Sequence, residues 1–181
     1  MSAPPPAEIE TDRLLLRRPL LDDAAAMFSA YAADPAVTRY LTWRPHTSID
    51  DTRAYLAHCQ EIWAAGTVRP YVIATRIEPD RPLGMIEWRG PGPSVTFGYV
   101  LAPAFWGRGY TSEALAALVD WSLARPTIWR AWTFCDVDNI ASARVMEKAG
   151  MAFEGILRRY SVHPNISAEP RDCRVHAKVR E

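Results

Sequence analysis

Apolar and polar positions repeat with two different periods along the chain, and these periods predict a mixture of strands and helices. The segment CRVHAKVR (173–180) alternates strictly, which is the period of a half-buried strand. AAAMFSAYAA (24–33) is helical by propensity. The stretch from Ser48 to about Ala65 places Tyr55, Leu56, Cys59, Ile62 and Trp63 on one helical stripe. The pattern therefore indicates an α/β chain.

The remaining elements follow from the same patterns and from turn residues between them. The predicted helices cover about 24–33, 48–65, 111–124 and 139–148, and the predicted strands cover 11–19, 71–76, 83–89, 94–101, 129–135, 151–160 and 173–180. Hairpin-length links and helical crossovers together imply one mixed, mostly antiparallel sheet of about seven strands with helices on both faces. We expect residues 1–10 to be a flexible tail and residues 11–180 to form a single domain.

Composition narrows the class of protein. Hydrophobic residues make up 49% of the 181 residues and charged residues 23%, as in soluble globular proteins. Lys+Arg and Asp+Glu both total 21, which argues against a nucleic-acid partner because such proteins usually carry a basic surplus. Three widely spaced cysteines suggest no zinc site and no disulfide framework. We expect a cytoplasmic protein with no metal, no signal peptide and no membrane span.

The stretch FWGRGYTSEA (105–114) carries the first candidate chemistry. A strand, a glycine turn and a helix in succession can hold an anion, because the first N–H groups of a helix lack partners within the helix. No Lys follows the second glycine, which excludes a P-loop, and Ser112 replaces the third glycine of a dinucleotide turn. One short glycine pattern is weak evidence, so a tight turn without a ligand remains the alternative.

A comparison over a longer segment makes the interpretation of this turn more specific. The segment FGYVLAPAFWGRGYTSEA (97–114) resembles the coenzyme A motif of GNAT acetyltransferases, in particular the GYxLxPxxWGxGYxxEA pattern of RimJ/RimL-type ribosomal-protein N-terminal acetyltransferases. NIASARVMEKAGM (139–151) is similar to the second motif of that family, NxxSxRVxEKxGF, and Glu154-Gly155 matches the EG that follows it. The resemblance covers about residues 10–180. It implies a GNAT sheet with a splayed central strand pair.

The resemblance also implies acetyl-CoA as cofactor and a set of contacts to it. The pyrophosphate would lie on residues 107–112, and the pantetheine arm would run along the strand that ends at Leu101. An N–H of Val100 or Leu101 would polarise the thioester carbonyl. Asn139 is either a helix N-cap, a pantetheine ligand or both. The expected cofactor-binding residues are Tyr99, Val100, Leu101, Trp106, Gly107, Arg108, Gly109, Tyr110, Thr111, Ser112, Asn139 and Ser142.

The catalytic and acceptor residues are less specified. In RimL-like relatives a serine at the position of Ser142 is proposed to protonate the leaving thiolate, and a positioning role is an equal alternative. The incoming amine needs a base, for which Glu87 is the candidate. Tyr160, His163 and Asp172 surround a late loop that borders the acceptor groove in relatives. The expected substrate-binding residues are Arg39, Trp43, Arg44 and Tyr160. With His46, the first three could hold an acidic or carbonyl-rich substrate, and an equal alternative is that they cover the core or contact a partner subunit.

These observations predict an acetyl-CoA-dependent N-acetyltransferase that acts on a primary amine, with a protein N-terminus as the preferred acceptor. Two alternatives remain open. One is acetylation of a small amine such as an antibiotic or polyamine, and the other is an acyl-CoA-binding module without turnover. A homodimer is compatible with the resemblance.

Overall fold

The computed structural model describes residues 4–90 and 92–181, and its elements alternate as the sequence predicts. The strands are β1 (Glu8–Glu10), β2 (Leu14–Arg17), β3 (Val68–Thr75), β4 (Gly84–Arg89), β5 (Ser94–Leu101), β6 (Arg130–Asp136), β7 (Ala152–Val162) and β8 (Pro170–Val179). The helices are α1 (Ala24–Met27), α2 (Pro35–Thr38), α3 (Ile49–Ala65), α4 (Tyr110–Leu123) and α5 (Ile140–Lys148). A π-helical turn, Phe28–Ala32, extends α1.

One eight-stranded sheet organises the chain, in the order β1-β2-β3-β4-β5-β6-β8-β7. Every neighbouring pair is antiparallel except β5 and β6, which run parallel. The predicted mixed, mostly antiparallel sheet is confirmed, with eight strands rather than about seven. We call this parallel pair the central join of the sheet, because it connects β1–β5 on one side to β6, β8 and β7 on the other.

Helices cover both faces of the sheet. Neighbouring residues of β4 point to opposite faces, and Met85 packs in a cluster with Met27 and Leu56 of α1 and α3. Ile86 packs instead in a larger cluster with Leu115 of α4 and Met146 of α5. We call the first side the α1–α3 face and the second the α4–α5 face. Burial of these apolar side chains is the main force that fixes the helices on the sheet.

Residues at the helix ends explain where α3 begins and ends and where α5 begins. The Ser48 hydroxyl accepts a hydrogen bond from the Asp51 N–H, and the Asp51 carboxylate accepts from the Ser48 N–H at 3.1 Å, which forms the expected capping box of α3. Gly66 ends α3 with φ of 78°, a left-handed conformation that suits glycine. The Asn139 side chain caps α5 by accepting from the Ser142 N–H at 3.1 Å.

Two expectations about the first fifty residues need correction. Part of the expected tail is ordered, because β1 pairs with β2 and the Tyr71 hydroxyl donates to the Pro6 carbonyl at 2.6 Å. Residues 1–3 of that tail lie outside the described residues. The predicted helices also leave out the short helix α2, where Asp34 is the N-cap and Pro35 takes the first helical position.

The alternation of CRVHAKVR correctly predicts a strand, β8. The expectation that one side of this strand is exposed is wrong at His176. His176 lies on its supposedly polar side and is only 1% exposed, because α5 and the Phe153 ring cover it. No helix among the described residues is long and apolar enough to cross a bilayer.

Candidate functional site

The central join of the sheet opens into a cleft. The β5–β6 ladder pairs Ser94 with Arg130 and ends where Thr96 pairs with Trp132, although β5 continues to Leu101 and β6 to Asp136. Thr133 bridges the vertex by donating to the Phe97 carbonyl at 2.7 Å. Among the described residues, β5 from Gly98 to Leu101 therefore has no strand partner on its β6 side. Such an edge can accept an extended amide chain.

Beyond the open edge, the chain turns into the start of α4. Gly107 and Gly109 both have positive φ, 76° and 78°, and no atom lies within 4 Å of the Cβ position at Gly107. None of the backbone N–H groups of residues 107–112 donates a hydrogen bond to another described residue. A helix of this length also presents a positive dipole end here. The turn therefore fits the pyrophosphate of coenzyme A.

Side chains around the turn hold it in place rather than point into it. The Trp106 indole N–H donates to the Leu101 carbonyl at 2.7 Å, which ties the turn to the end of β5. Arg13 donates to the Arg108 carbonyl at 3.0 Å and forms an ion pair with Glu113 at 2.6 Å. Burial alone would raise the pKa of Glu113, but hydrogen bonds from Thr11 and Arg13 hold that pKa below its ordinary value. Glu113 is thus a clamp between β2 and α4.

A half-buried polar cluster lies on the α4–α5 face of the open edge. The Tyr99 and Ser142 hydroxyls lie 2.7 Å apart, and the Tyr99 hydroxyl also donates to the Ser142 carbonyl at 3.3 Å. Burial raises the pKa of Tyr99 above its usual range, so the phenol stays protonated. Cys135 on β6 lies beside them, and burial raises the pKa of its thiol to about 11. The structure therefore brings together Tyr99, Asn139 and Ser142, three of the residues expected to bind the cofactor.

Glu87 lies on the opposite face of the same edge. It pairs with Gly98 across the β4–β5 ladder, and its carboxylate accepts from the Tyr55 hydroxyl at 2.9 Å. Arg89 binds the second carboxylate oxygen, and its guanidinium lies over Gly98, where an added Cβ would be 3.0 Å from Arg89 Nη2. Burial, followed by the nearby Glu87 charge, raises the pKa of Tyr55. The Glu87 carboxylate is therefore held by two hydrogen bonds and is partly exposed, at 17%.

Aromatic side chains cover β6 and β7 on this α1–α3 face. Trp132 lies on the same face as Thr96, its partner in the ladder, and its ring centre is 6.4 Å from that of Phe134. Tyr160 packs edge-on against Phe134 at 4.9 Å and is 44% exposed. Arg159, with a positive φ of 49°, forms the bulge that turns Tyr160 toward Phe134. Tyr160 thus borders the cleft, whereas Trp132 and Phe134 are site candidates that the sequence did not single out.

A bridge closes one end of the cleft. Asn165, in the β7–β8 loop, donates to the carbonyls of Thr38 and Trp43 at 2.7 and 2.8 Å. His163 bonds to the Tyr40 carbonyl at 2.9 Å and is buried at 2% exposure, next to the buried Asp136 of β6. We call these contacts the Asn165 bridge. His163 is therefore a structural residue of the loop in this arrangement.

The other predicted site residues near the Asn165 bridge do not lie together. Arg39 and Arg44 line a pocket beside the bridge, and Trp43 instead packs against His46 at 5.3 Å. Asp172 caps the bulge of β7 by accepting from the Arg159 N–H at 2.8 Å. No cluster of His, Cys, Asp or Glu in the described part of the chain could hold a metal ion.

The comparisons with known proteins agree with this geometry. Residues 13–152 match the GNAT acetyltransferase domain family. The chain belongs to that family. Among its relatives, the uncharacterized N-acetyltransferase p20 of Bacillus licheniformis is 28% identical over 83% of this chain and 85% of its own length. The uncharacterized N-acetyltransferase YoaA of Bacillus subtilis strain 168 is 27% identical over 95% and 96%.

Solved GNAT structures show the same fold. The Microcin C7 self immunity acetyltransferase MccE, solved with acetyl-CoA and AMP, superposes with a TM-score of 0.84 at 20% identity, covering 97% of both chains. RimL, the ribosomal L7/L12 α-N-protein acetyltransferase solved with coenzyme A, gives 0.81 at 23% identity over 96% and 98%. The chain is thus a GNAT N-acetyltransferase that uses acetyl-CoA.

Proposed function

We propose that this GNAT enzyme acetylates the N-terminal amine of a peptide or protein. One observation carries the mechanism: the open edge of β5 lies between the Tyr99–Ser142 pair on one face and Glu87 on the other. A peptide acceptor would lie on the α1–α3 face of the open edge, where Tyr55 of α3 binds Glu87 and the aromatic side chains of β6 and β7 pack together. The likeness to RimL, an α-N-protein acetyltransferase, supports the same class of acceptor.

The chain supplies the binding and orientation of the cofactor. Acetyl-CoA, when bound, contributes an activated acyl thioester. The free N–H groups of residues 107–112 would hold its pyrophosphate, and the open edge from Gly98 to Leu101 would hydrogen bond its amide arm. The β4–β5 register turns the Val100 N–H toward β4, so the N–H of Leu101, on the open side, would polarise the acyl carbonyl. Asn139, besides capping α5, would donate its amide NH₂ to the same arm.

Glu87 is the proposed base. An amine attacks only in its unprotonated form, so a nearby carboxylate speeds transfer by accepting a proton. Both carboxylate oxygens of Glu87 already accept hydrogen bonds, from Tyr55 and Arg89. Each oxygen has a further lone pair, so Glu87 can receive the proton through a bound water molecule. Its 17% exposure leaves room for that water.

Ser142 acts with Tyr99 on the departing sulfur. A hydroxyl of ordinary acidity is a poor proton source by itself. The two hydroxyls at 2.7 Å form a chain in which Tyr99 can donate to Ser142 while Ser142 donates onward. We propose that this pair orients and hydrogen bonds the leaving thiolate.

The test is an acceptor panel with acetyl-CoA and detection of free thiol. Peptides with free N-terminal Ser or Ala should release thiol faster than polyamines or aminoglycosides, and mass spectrometry should place the acetyl group on the N-terminus. Faster turnover of the small amines would support the small-molecule alternative. Binding of acetyl-CoA without thiol release from any amine would indicate a non-catalytic module. A homodimer and a cytoplasmic location remain predictions.

A further inference from the structure

A pocket beside the Asn165 bridge has no role in the chemistry described above. Its volume is about 610 Å³. It lies between the α2 region and the β7–β8 loop, and two of its walls carry guanidinium groups, those of Arg39 and Arg44. The other lining residues are Pro35, Thr38, Pro45, Pro164, Asn165 and Ile166.

Arg39 and Arg44 are among the arginines of this protein that form no ion pair with another described residue. Arg17, Arg89 and Arg171 each bind a carboxylate directly. Within residues 4–90 and 92–181, Arg39 and Arg44 have no carboxylate within 4.0 Å, and Arg39 only lies over the ring of its neighbour Tyr40 at 5.4 Å. Two unpaired guanidinium groups in one pocket create a positive potential that favours a carboxylate.

The backbone around the pocket is tied in place. Three prolines restrict its walls, and the two hydrogen bonds from Asn165 join the loops on either side of it. Backbone that is already ordered loses little entropy when a ligand binds. The side chains of Arg39 and Arg44 are exposed and can turn toward a ligand.

A row of rings connects this pocket to Glu87. The Trp43 carbonyl accepts a hydrogen bond from Asn165, and the Trp43 ring packs on the His46 ring with centres 5.3 Å apart. His46 packs on Tyr55 at 6.3 Å, and Tyr55 binds Glu87. Burial lowers the pKa of His46, so its imidazole is neutral near pH 7 and adds no charge to the row. The row leads from an anion-attracting pocket to the proposed base.

We infer that the pocket of Arg39 and Arg44 binds an acidic side chain of the acceptor peptide, several residues after its N-terminal amine. This inference rests on the proposed function. The ring centres from Trp43 through His46 to Tyr55 lie 5.3 and 6.3 Å apart, a path as long as roughly three to four residues of extended chain. An acidic residue next to the amine gains nothing, because it would lie near the Glu87 carboxylate. The pocket thus selects acidic N-terminal segments by the position of the charge.

The test compares peptides that differ only in the position of one Asp. Peptides starting with Ser-Ala carry Asp at position 3, 4, 5 or 6, and each has an Asn counterpart. At low salt, the wild-type enzyme should prefer Asp over Asn by about tenfold in kcat/KM at position 4 or 5, mainly through KM. The double variant Arg39→Gln/Arg44→Gln should lose this preference and keep the KM for acetyl-CoA. Arg76→Gln, which removes an exposed arginine paired with Glu10, is the matched control.

A binding measurement separates this inference from the proposed function. The same peptides, already N-acetylated, are titrated calorimetrically into the protein with coenzyme A, where no turnover is needed. Tighter binding of the Asp form, lost in the double variant but not in Arg76→Gln, supports the pocket even if no free peptide is acetylated. Equal affinity of Asp and Asn forms at every position overturns it, as does the absence of binding by any peptide at millimolar concentration.

Discussion

The two sides of the cleft are built in different ways. The cofactor side comes from one continuous stretch, β5, the glycine turn and the start of α4, with α5 added from the next crossover. The acceptor side is assembled from α3, β4, β6 and two loops that are far apart in sequence; Asn165 and Thr38, for instance, are 127 positions apart. The cofactor side offers mainly backbone groups, whereas the acceptor side offers side chains.

This difference explains why the cofactor side can be recognised as a sequence motif and the acceptor side cannot. Backbone donors depend on conformation, so the sequence must place glycines at fixed positions, as at Gly107 and Gly109. Side-chain sites depend on which residues the fold brings together. Substitutions on the acceptor side should therefore change turnover or acceptor choice, whereas those on the cofactor side should change the use of acetyl-CoA.

The largest effect is expected for Glu87→Gln. The substitution keeps the size of the side chain but removes the proton acceptor, so kcat should fall by about a hundredfold. The KM for acetyl-CoA should stay unchanged, because Glu87 lies on the acceptor face. Steady-state kinetics measure both constants.

The control for this change is Glu154→Gln, which removes a similar carboxylate–arginine pair, with Arg130, at a distance from the cleft. It should leave kcat unchanged. If Glu87→Gln also leaves kcat unchanged, Glu87 is a structural partner of Arg89 and not the base.

The next largest effect is expected for Gly109→Val on the cofactor side. A β-branched residue is strained at φ of 78°, so the turn should shift and its N–H groups should lose their common direction. The KM for acetyl-CoA should rise about tenfold, which corresponds to about 1.4 kcal/mol.

Gly66→Val is a matched control, since Gly66 has the same φ of 78° at the end of α3. Both variants should lose a similar free energy of unfolding, about 1–2 kcal/mol. If the two variants change the KM for acetyl-CoA equally, the turn has no special role in binding the pyrophosphate.

A smaller effect is expected for the Tyr99–Ser142 pair on the α4–α5 face, which we propose to contact the sulfur. Ser142→Ala and Tyr99→Phe each remove the hydrogen bond between these two hydroxyls, and each should lower kcat about fivefold, the value of one modest hydrogen bond. Single-turnover rates of thiol release measure the effect. A fall of a hundredfold or more in Ser142→Ala alone would instead identify Ser142 as the direct proton donor.

The smallest effect concerns the two roles of Asn139. Asn139→Asp keeps an oxygen to cap α5 but removes the amide donor, so stability should be retained while the Kd for coenzyme A rises about threefold. Asn139→Ala removes the cap as well and should cost about 1 kcal/mol of unfolding free energy. Urea denaturation and calorimetric titration give the two values. An unaltered Kd in Asn139→Asp would leave Asn139 as an N-cap only.

Features set by neighbouring residues could be predicted from the sequence, whereas features assembled by the fold could not. The ends of α3 and α5 were predictable because Ser48, Gly66 and Asn139 act on their own backbone neighbours. β1 was missed because its three residues gain their order only by pairing with β2. Glu87 was a candidate from its place on β4, but its bonds to Tyr55 and Arg89 needed the fold. Trp132 and Phe134 carry no local signal that separates them from core residues.

The place of β8 has a consequence for how the chain folds. β8 comes after β6 and β7 in sequence but lies between them in the sheet. Until it is synthesised, both neighbours expose unpaired edges, which invite pairing with other chains. The core under α4 also contains residues of β6 and α5, so it is completed only by later parts of the chain. We therefore expect the aromatic wall of the acceptor cleft, on β6 and β7, to be fixed only when β8 joins these two strands.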